Sequence, residues 1–317
     1  MPGSFSPGNK AMSQSPSEVA QPSRLIVFII LTLPPLLWAG NFIIGRAVRN
    51  EVPPVTLTLV RWLIALACIL PFAWKYIRRD AGRYRAFPGR IVAISLSGIV
   101  FFSLLTYIGL HHTSGTNALL LNSCIPVLIM LFAGLFYGQP LRLSQATGLL
   151  ISFCGVLAII FHGDLAGLLS LSFSSGDLML LGAMASFSLY TLWLKKIPPE
   201  VSRLGLLGVQ VIISLIVIFP VWLWEIHSGA SAVWDRTTLS AVLYLGIFPS
   251  FIAYLLFGRG VALIGAARAG LTIHLIPVFG VALSVLFLGE KIHLYHLAGI
   301  ATILEGISLA SRKSGTR

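Results

Sequence analysis

The sequence predicts an all-α, polytopic membrane protein of ten transmembrane helices, built as two inverted five-helix repeats. Three observations predict it. The 317-residue chain is 56% hydrophobic and 10% charged, with a mean hydropathy of +0.91, whereas a soluble domain carries roughly a quarter charged residues. Its apolar residues fall into runs of the ~20 residues that cross a ~30 Å hydrocarbon core. The later runs repeat the earlier ones: Ile125-Pro126-Val127, an apolar run and Gly138 recur as Ile276-Pro277-Val278, another apolar run and Gly289, and Gly148 and Gly155 fall on Gly299 and Gly306. The register between these copies is constant, 276 − 125 = 151. Five crossings per copy leave the second copy upside down relative to the first, which is the architecture of alternating-access carriers.

Taken in order, residues 1–23 are rich in Ser, Pro and Gln and lack an apolar core; they read as a disordered cytoplasmic tail. Spans are expected at 25–45, 55–76, 91–110, 117–137 and 143–161, which makes 24–162 the first repeat. The second repeat, 174–311, holds spans at 176–194, 204–224, 239–258, 269–288 and 292–310. Early in the copies the register is 149, so that Pro71 meets Pro220, Val52 meets Val201 and Arg46 meets Lys195. Only the connections 75–90 and 225–238 are long, which leaves no room for a separate soluble domain.

The 22 basic residues orient the chain. Arg78, Arg79, Arg83, Arg85 and Arg90, Lys195 and Lys196, Arg259 and Arg268, and Arg312, Lys313 and Arg317 all fall on one side when the N-terminus is inside, and the other side holds only Arg46, Arg49, Arg236 and Lys291. Basic residues near span ends favour the cytoplasm, so both termini are expected there, in a multi-pass protein of a bacterial inner membrane. A pI near 10.1 implies no nucleic-acid partner, because the cations lie in loops between apolar runs and not on a folded soluble face. Cys68, Cys124 and Cys154 lie inside apolar runs and read as small hydrophobes, without the spacing of a metal site or a disulfide framework. Neither a metal nor another cofactor is implied.

At this point a family resemblance emerges. Phe251-Ile-Ala-Tyr254-Leu-Leu, Ala262 to Gly270, Leu275-Ile-Pro277-Val-Phe and Leu288-Gly289-Glu290-Lys291 resemble the second half of EamA-type carriers of the drug/metabolite transporter superfamily. Trp38-Ala-Gly-Asn41-Phe, Arg61 and Asn117-Ala-Leu-Leu through Pro126 are similar to its first half. The departure is Gln139-Pro140 where the second copy has Glu290-Lys291. The resemblance implies a ten-helix carrier with a central cavity open alternately to each side, exporting amino acids, metabolites or drugs. Small-molecule substrate and lipid are the implied partners.

Several residues are candidates for the substrate site. Pro126 and Pro277 remove a backbone donor at matching places in spans four and nine, and paired breaks in inverted repeats point to a midplane site; plain kinking for packing is the other reading. Arg61 lies roughly 9 Å below the outer end of span two at 1.5 Å per residue; it either snorkels to the interface or faces the cavity to hold an anionic group. Trp38, Asn41, Tyr107, Asn122, Tyr190, Tyr254 and His274 supply scattered polar edges within the spans, either orienting a solute in a mostly apolar pocket or bonding helix to helix. Glu305 is a carboxylate well inside span ten; it suits proton coupling, although its equivalent Cys154 is apolar. Gly148, Gly155, Gly299 and Gly306 form helix-packing seams, within the protein or in a homodimer. A nucleophile–base pair or metal cluster at depth is missing, so an enzyme is not expected. The alternative to a carrier is a non-transporting membrane scaffold or assembly subunit.

Overall fold

The computed structural model describes residues 23–113, 115–139, 142–164, 174–288 and 291–311. The N-terminal tail before Ser23, the Pro140 and Glu290 contrast, and Arg312, Lys313 and Arg317 lie outside the described residues. The first five helices are α1 (Arg24–Ala47), α2 (Pro54–Ala86), α3 (Pro88–His112), α4 (Gly115–Asn122 and Ile125–Tyr137) and α5 (Leu143–Ile160). The second five are α6 (Ser175–Lys195), α7 (Arg203–His227), α8 (Arg236–Ile264), α9 (Ala266–Leu271, Thr272–His274 and Leu275–Leu288) and α10 (Leu294–Ser311). Among the described residues nine helices are long and apolar enough to cross a membrane, and α10 is a slightly shorter apolar helix. Large side chains such as Leu135, Leu178, Ile216 and Leu294 remain exposed on the outside of the bundle, as a lipid-facing surface requires.

Inversion is visible in the packing. Gly148 of α5 lies against the backbone of Gly306 of α10, and Gly155 against Gly299. The lower-numbered glycine of one helix meets the higher-numbered glycine of the other, so the helices run antiparallel and their repeats are oppositely oriented. A Cβ on Gly155 would stand 2.7 Å from the Gly299 carbonyl oxygen and 2.8 Å from the Ile303 nitrogen; only glycine allows this approach. The expected glycine seam is thus internal to the chain. The other contacts obey the same pseudo-two-fold axis. Helix α2 packs on α7, α1 on α8 as α6 on α3, and α1 on α9 as α6 on α4.

Two sequence expectations change. Residues 75–90 were expected to form a connection, but α2 continues to Ala86, a length of roughly 50 Å at 1.5 Å per residue that overruns the hydrocarbon core. Its polar end is held at Asp80, which accepts hydrogen bonds from Arg79 Nε (2.9 Å), Arg83 Nη1 (3.2 Å) and the Ser202 backbone nitrogen (2.9 Å). Two consecutive prolines, Pro34 and Pro35, predict a break in span one, yet α1 stays helical through both, and both are buried. Packing by neighbouring helices carries a membrane helix through proline in this way.

Helices α2 and α7 also cap each other. The buried Glu225 near the end of α7 accepts from the Val55 nitrogen (2.9 Å), the Thr56 nitrogen (2.7 Å) and Thr56 Oγ1 (2.7 Å) in the first turn of α2. At the opposite end, Asp80 of α2 meets Ser202, the N-cap of α7. Each carboxylate satisfies orphan donors and opposes the positive end of the partner helix. Outside the core, Asp235 caps α8 by accepting from the Thr238 nitrogen at 2.7 Å, which holds its carboxyl below the usual carboxylate range.

Candidate functional site: a central cleft on the repeat axis

Helices α4 and α9 are both interrupted midway. The breaks fall at Ser123–Cys124 and at Thr272–His274, one turn or less before Pro126 and Pro277. Pro126 then sits in the first turn of the segment it begins, where its missing N–H costs nothing. The breaks face each other across the axis. His274 Nε2 donates to the Ser123 carbonyl at 2.9 Å, and its Nδ1 is 2.5 Å from Ser152 Oγ of α5. Ser123 and His274 occupy the same place in the two repeats, 274 − 123 = 151, so the hydrogen bond joins repeat-equivalent residues. Ser188 of α6 donates to the Ile125 carbonyl, at the start of the second segment of α4, at 3.3 Å.

A matching irregularity occurs in α3 and α8. Each contains a π-helical turn, Leu96–Phe101 and Gly246–Ile252, a local widening often found at functional sites. The displaced carbonyls accept side-chain donors. Tyr254 Oη donates to the Gly98 carbonyl at 2.6 Å, and Trp38 Nε1 to the Pro249 carbonyl at 3.2 Å.

Between these elements lies a narrow cleft lined by Trp38, Asn41, Phe42, Arg61, Phe102, Asn122, Ile125, Phe187, Tyr254, Ile273 and Ile276. Water centres have about 10 Å³ in it, room for roughly one water molecule. Its aromatic wall is tightly packed: Trp38 meets Phe187 at 5.6 Å and Tyr254 at 5.9 Å between ring centroids, both edge to face.

Arg61 supplies the charge. It is 2% exposed and does not snorkel. Its Nε donates to Ser250 Oγ at 2.7 Å, and its Nη1 donates to Asn41 Oδ1 at 3.1 Å and to the Tyr107 hydroxyl. Tyr107 in turn donates to Asn41 Oδ1 at 2.9 Å. The guanidinium carbon lies 5.4 Å and 5.2 Å from the Trp62 and Tyr107 ring centroids, so π faces add to its stabilisation. None of its hydrogen-bonding partners carries a charge. A buried guanidinium of this kind attracts an anionic group such as a carboxylate or phosphate.

The structure brings Trp38, Asn41, Arg61, Asn122 and Tyr254 together on the cleft wall. Tyr107 stands behind Arg61 and positions it. Tyr190 packs behind the wall at 5.3 Å from Phe187. Pro126 and Pro277 neighbour the lining residues Ile125 and Ile276 without joining them, and His274 turns away toward Ser152. Glu305 is on the exposed face of α10, away from the cleft. Sequence reasoning missed Ser250, Phe187 and Phe102. Pro249 beside Ser250 inside an apolar run was the available signal for the first; the two phenylalanines gave none among 19.

The fold and the cleft define a class: polytopic membrane proteins of two inverted repeats enclosing a cleft on their shared axis. A sequence model of the EamA-like transporter family matches residues 25–161 and again 174–312. The chain belongs to that family. It is 25% identical over 84% of its length to the uncharacterized transporter YetK of Bacillus subtilis, covering 81% of that protein. It is 29% identical to the uncharacterized transporter YdfC of the same organism, over 86% of each chain. A probable terminal-alkyne amino-acid exporter of Streptantibioticus cattleyicolor is 23% identical over 92% of this chain and 95% of that one. A solved crystal structure at 21% identity, covering 91% of this chain and 97% of its own, superposes with a TM-score of 0.67; it shares the fold.

Proposed function

We propose that this protein exports a small organic solute bearing a carboxylate and an apolar body, by alternating access, from the cytoplasm of a bacterial cell. The observation that carries the reading is Arg61, a buried cation on the cleft wall whose hydrogen-bond partners are all neutral. Placing arginine at depth costs at least ~2.5 kcal/mol on insertion scales, and an anionic solute that pairs with it repays this only while bound. The apolar body then lies against Trp38, Phe187 and Tyr254, and Asn41 and Asn122 orient its remaining polar groups. The similarity to a probable amino-acid exporter agrees with this chemistry.

The cycle follows from the breaks in α4 and α9. A cleft with space for one water is occluded, so loading requires α4 and α9 to part at one end while remaining joined at the other. Alternating access then opens the contact between α4 and α9 to one side at a time, with both termini in the cytoplasm. Proton coupling through Glu305 forms no part of this cycle, because that carboxylate faces away from the cleft.

Proteoliposomes test the reading. Efflux of radiolabelled leucine or phenylalanine should be saturable and should fall at least about tenfold in Arg61→Gln, the scale of one lost charged contact. The corresponding amides should not move. Equal flux of acids and amides, or an unsaturable leak, contradicts the proposal.

A further inference from the structure

A second cavity lies at the Arg- and Lys-rich end of the bundle, walled by the ends of α4 and α6, the start of α5 and the turn from α8 into α9. It holds about 480 Å³, the size of a small-molecule pocket. Gly265 makes the turn possible: at φ +89° it joins Ile264 to Ala266 through one residue, a conformation open to glycine. Arg142, Lys195, Lys196 and Arg268 line the cavity with Gln139 and Gln145, and among the described residues no carboxylate lines it. Lys195 Nζ donates to the Ala262 carbonyl at 3.2 Å, and Lys196 Nζ stands 3.5 Å from the Tyr137 ring centroid.

Topology alone places cations at this end of the molecule, but not in this arrangement. Arg79 and Arg83 at the same end are paired with Asp80, whereas no carboxylate among the described residues forms an ion pair with these four, which are gathered in one concavity. A concave wall of one sign focuses the field and concentrates opposite charge. The cavity also adjoins the cleft. Ile125 lines the cleft and Ile129 the cavity, one helical turn apart, roughly 6 Å of rise. Between them Ile129 packs on α9 at Gly270, where an added Cβ would lie 2.5 Å from its Cδ1.

We propose that this vestibule is an anion-capture site, which binds the carboxylate or phosphate of a soluble organic anion and passes it to Arg61 when Ile129 withdraws from Gly270. The proposal rests on the reading of the cleft as an anionic-solute site for the transfer step, but not for capture itself.

The test measures local potential by thiol chemistry. Full-length protein with Cys68, Cys124 and Cys154 replaced and Ala267→Cys added, in phosphatidylcholine nanodiscs, is reacted with anionic sulfonatoethyl and cationic trimethylammonioethyl methanethiosulfonate. Gly82→Cys, exposed near the basic end of α2, is the reference. The anionic-to-cationic rate ratio should be at least about tenfold higher at position 267 than at 82, the lower end of what a focused field gives. Arg142→Gln with Arg268→Gln should remove most of the difference, and Lys195→Gln with Lys196→Gln is the independent pair if the first fails to accumulate. Millimolar benzoate should slow the anionic reagent at 267 but not at 82, in Arg61→Gln as well as the parent. Equal ratios at the two positions overturn the proposal. Protection that needs phosphatidylglycerol in the disc and is absent with benzoate also overturns it, assigning the cavity to a lipid headgroup. Protection by benzoate in a protein that moves no solute leaves capture standing and removes the carrier reading instead.

Discussion

Two seams cross the repeat axis, and they are built in opposite ways. Between α5 and α10 the contact is backbone against backbone, with Gly148 on Gly306 and Gly155 on Gly299 and continuous helices on both sides. Between α4 and α9 both helices are broken, one hydrogen bond from His274 to Ser123 joins the breaks, and side chains fill the rest, Ile129 beside Gly270 and Met130 with Leu271 among them. The first seam has nowhere to move without separating two helices along their length. The second can open by breaking that hydrogen bond and repacking side chains, without separating two backbones. We therefore assign to the glycine seam the role of holding the repeats together, and propose the broken seam as the place where access changes.

The largest expected effect is at the rigid seam. Gly155→Leu drives a side chain into the Gly299 carbonyl, and with backbone on the far side relaxation is small. A loss at or above the ~1–3 kcal/mol of ordinary overpacking is expected, read as failure to accumulate or a sharp fall in Tm. The outward-facing Leu150, 64% exposed, should accept tryptophan without loss. If Gly155→Leu is as stable as Leu150→Trp, the rigid seam is not a clamp.

Arg61→Gln should separate function from stability. It removes a buried charge held by neutral partners, so Tm should hold or rise while flux falls at least about tenfold. A matching drop in Tm would make Arg61 a structural residue. Next in size is Glu225→Gln, which weakens the cap on the first turn of α2. A loss of roughly 1–2 kcal/mol is expected by analogy with lost N-caps, with solute affinity unchanged in surviving protein. The smallest effect is at Glu305: Glu305→Gln should leave flux and its pH dependence unaltered. Loss of gradient-driven flux with exchange intact would restore it as a proton carrier.

Much of this plan was legible in the sequence. The repeated Ile-Pro-Val segments located both helix breaks, because proline's missing donor acts locally, and the seven-residue glycine spacing located the rigid seam. What stayed hidden depended on partners far along the chain. The π turns of α3 and α8 leave a weak trace in composition, since their carbonyls are satisfied by Tyr254 and Trp38 from elsewhere in the bundle. Glu225 read as a loop residue because nothing in its neighbourhood announces that it caps a helix 169 residues away. Leu149 lies in span five, which its place in the sequence puts at the periphery of the bundle, yet it is 6% exposed and packs with Met130, Leu271 and Ala310; the sequence marks which face of α5 is apolar but not which apolar face meets protein. At least one of Asn122 and His274 was expected to meet solute, and the fold turns only Asn122 onto the cleft wall.

The difference between the seams is open to direct measurement by electron–electron double resonance in nanodiscs. One spin-label pair at Phe136 and Ala267 spans the ends of α4 and α9, and a second at Leu150 and Leu304 spans α5 and α10. Adding a transported carboxylate should redistribute the first pair between a short and a long distance and leave the second as one unchanged peak. A first pair that stays fixed under every condition in which the protein transports, or a second pair that moves with it, would contradict the assignment of access to the broken helices.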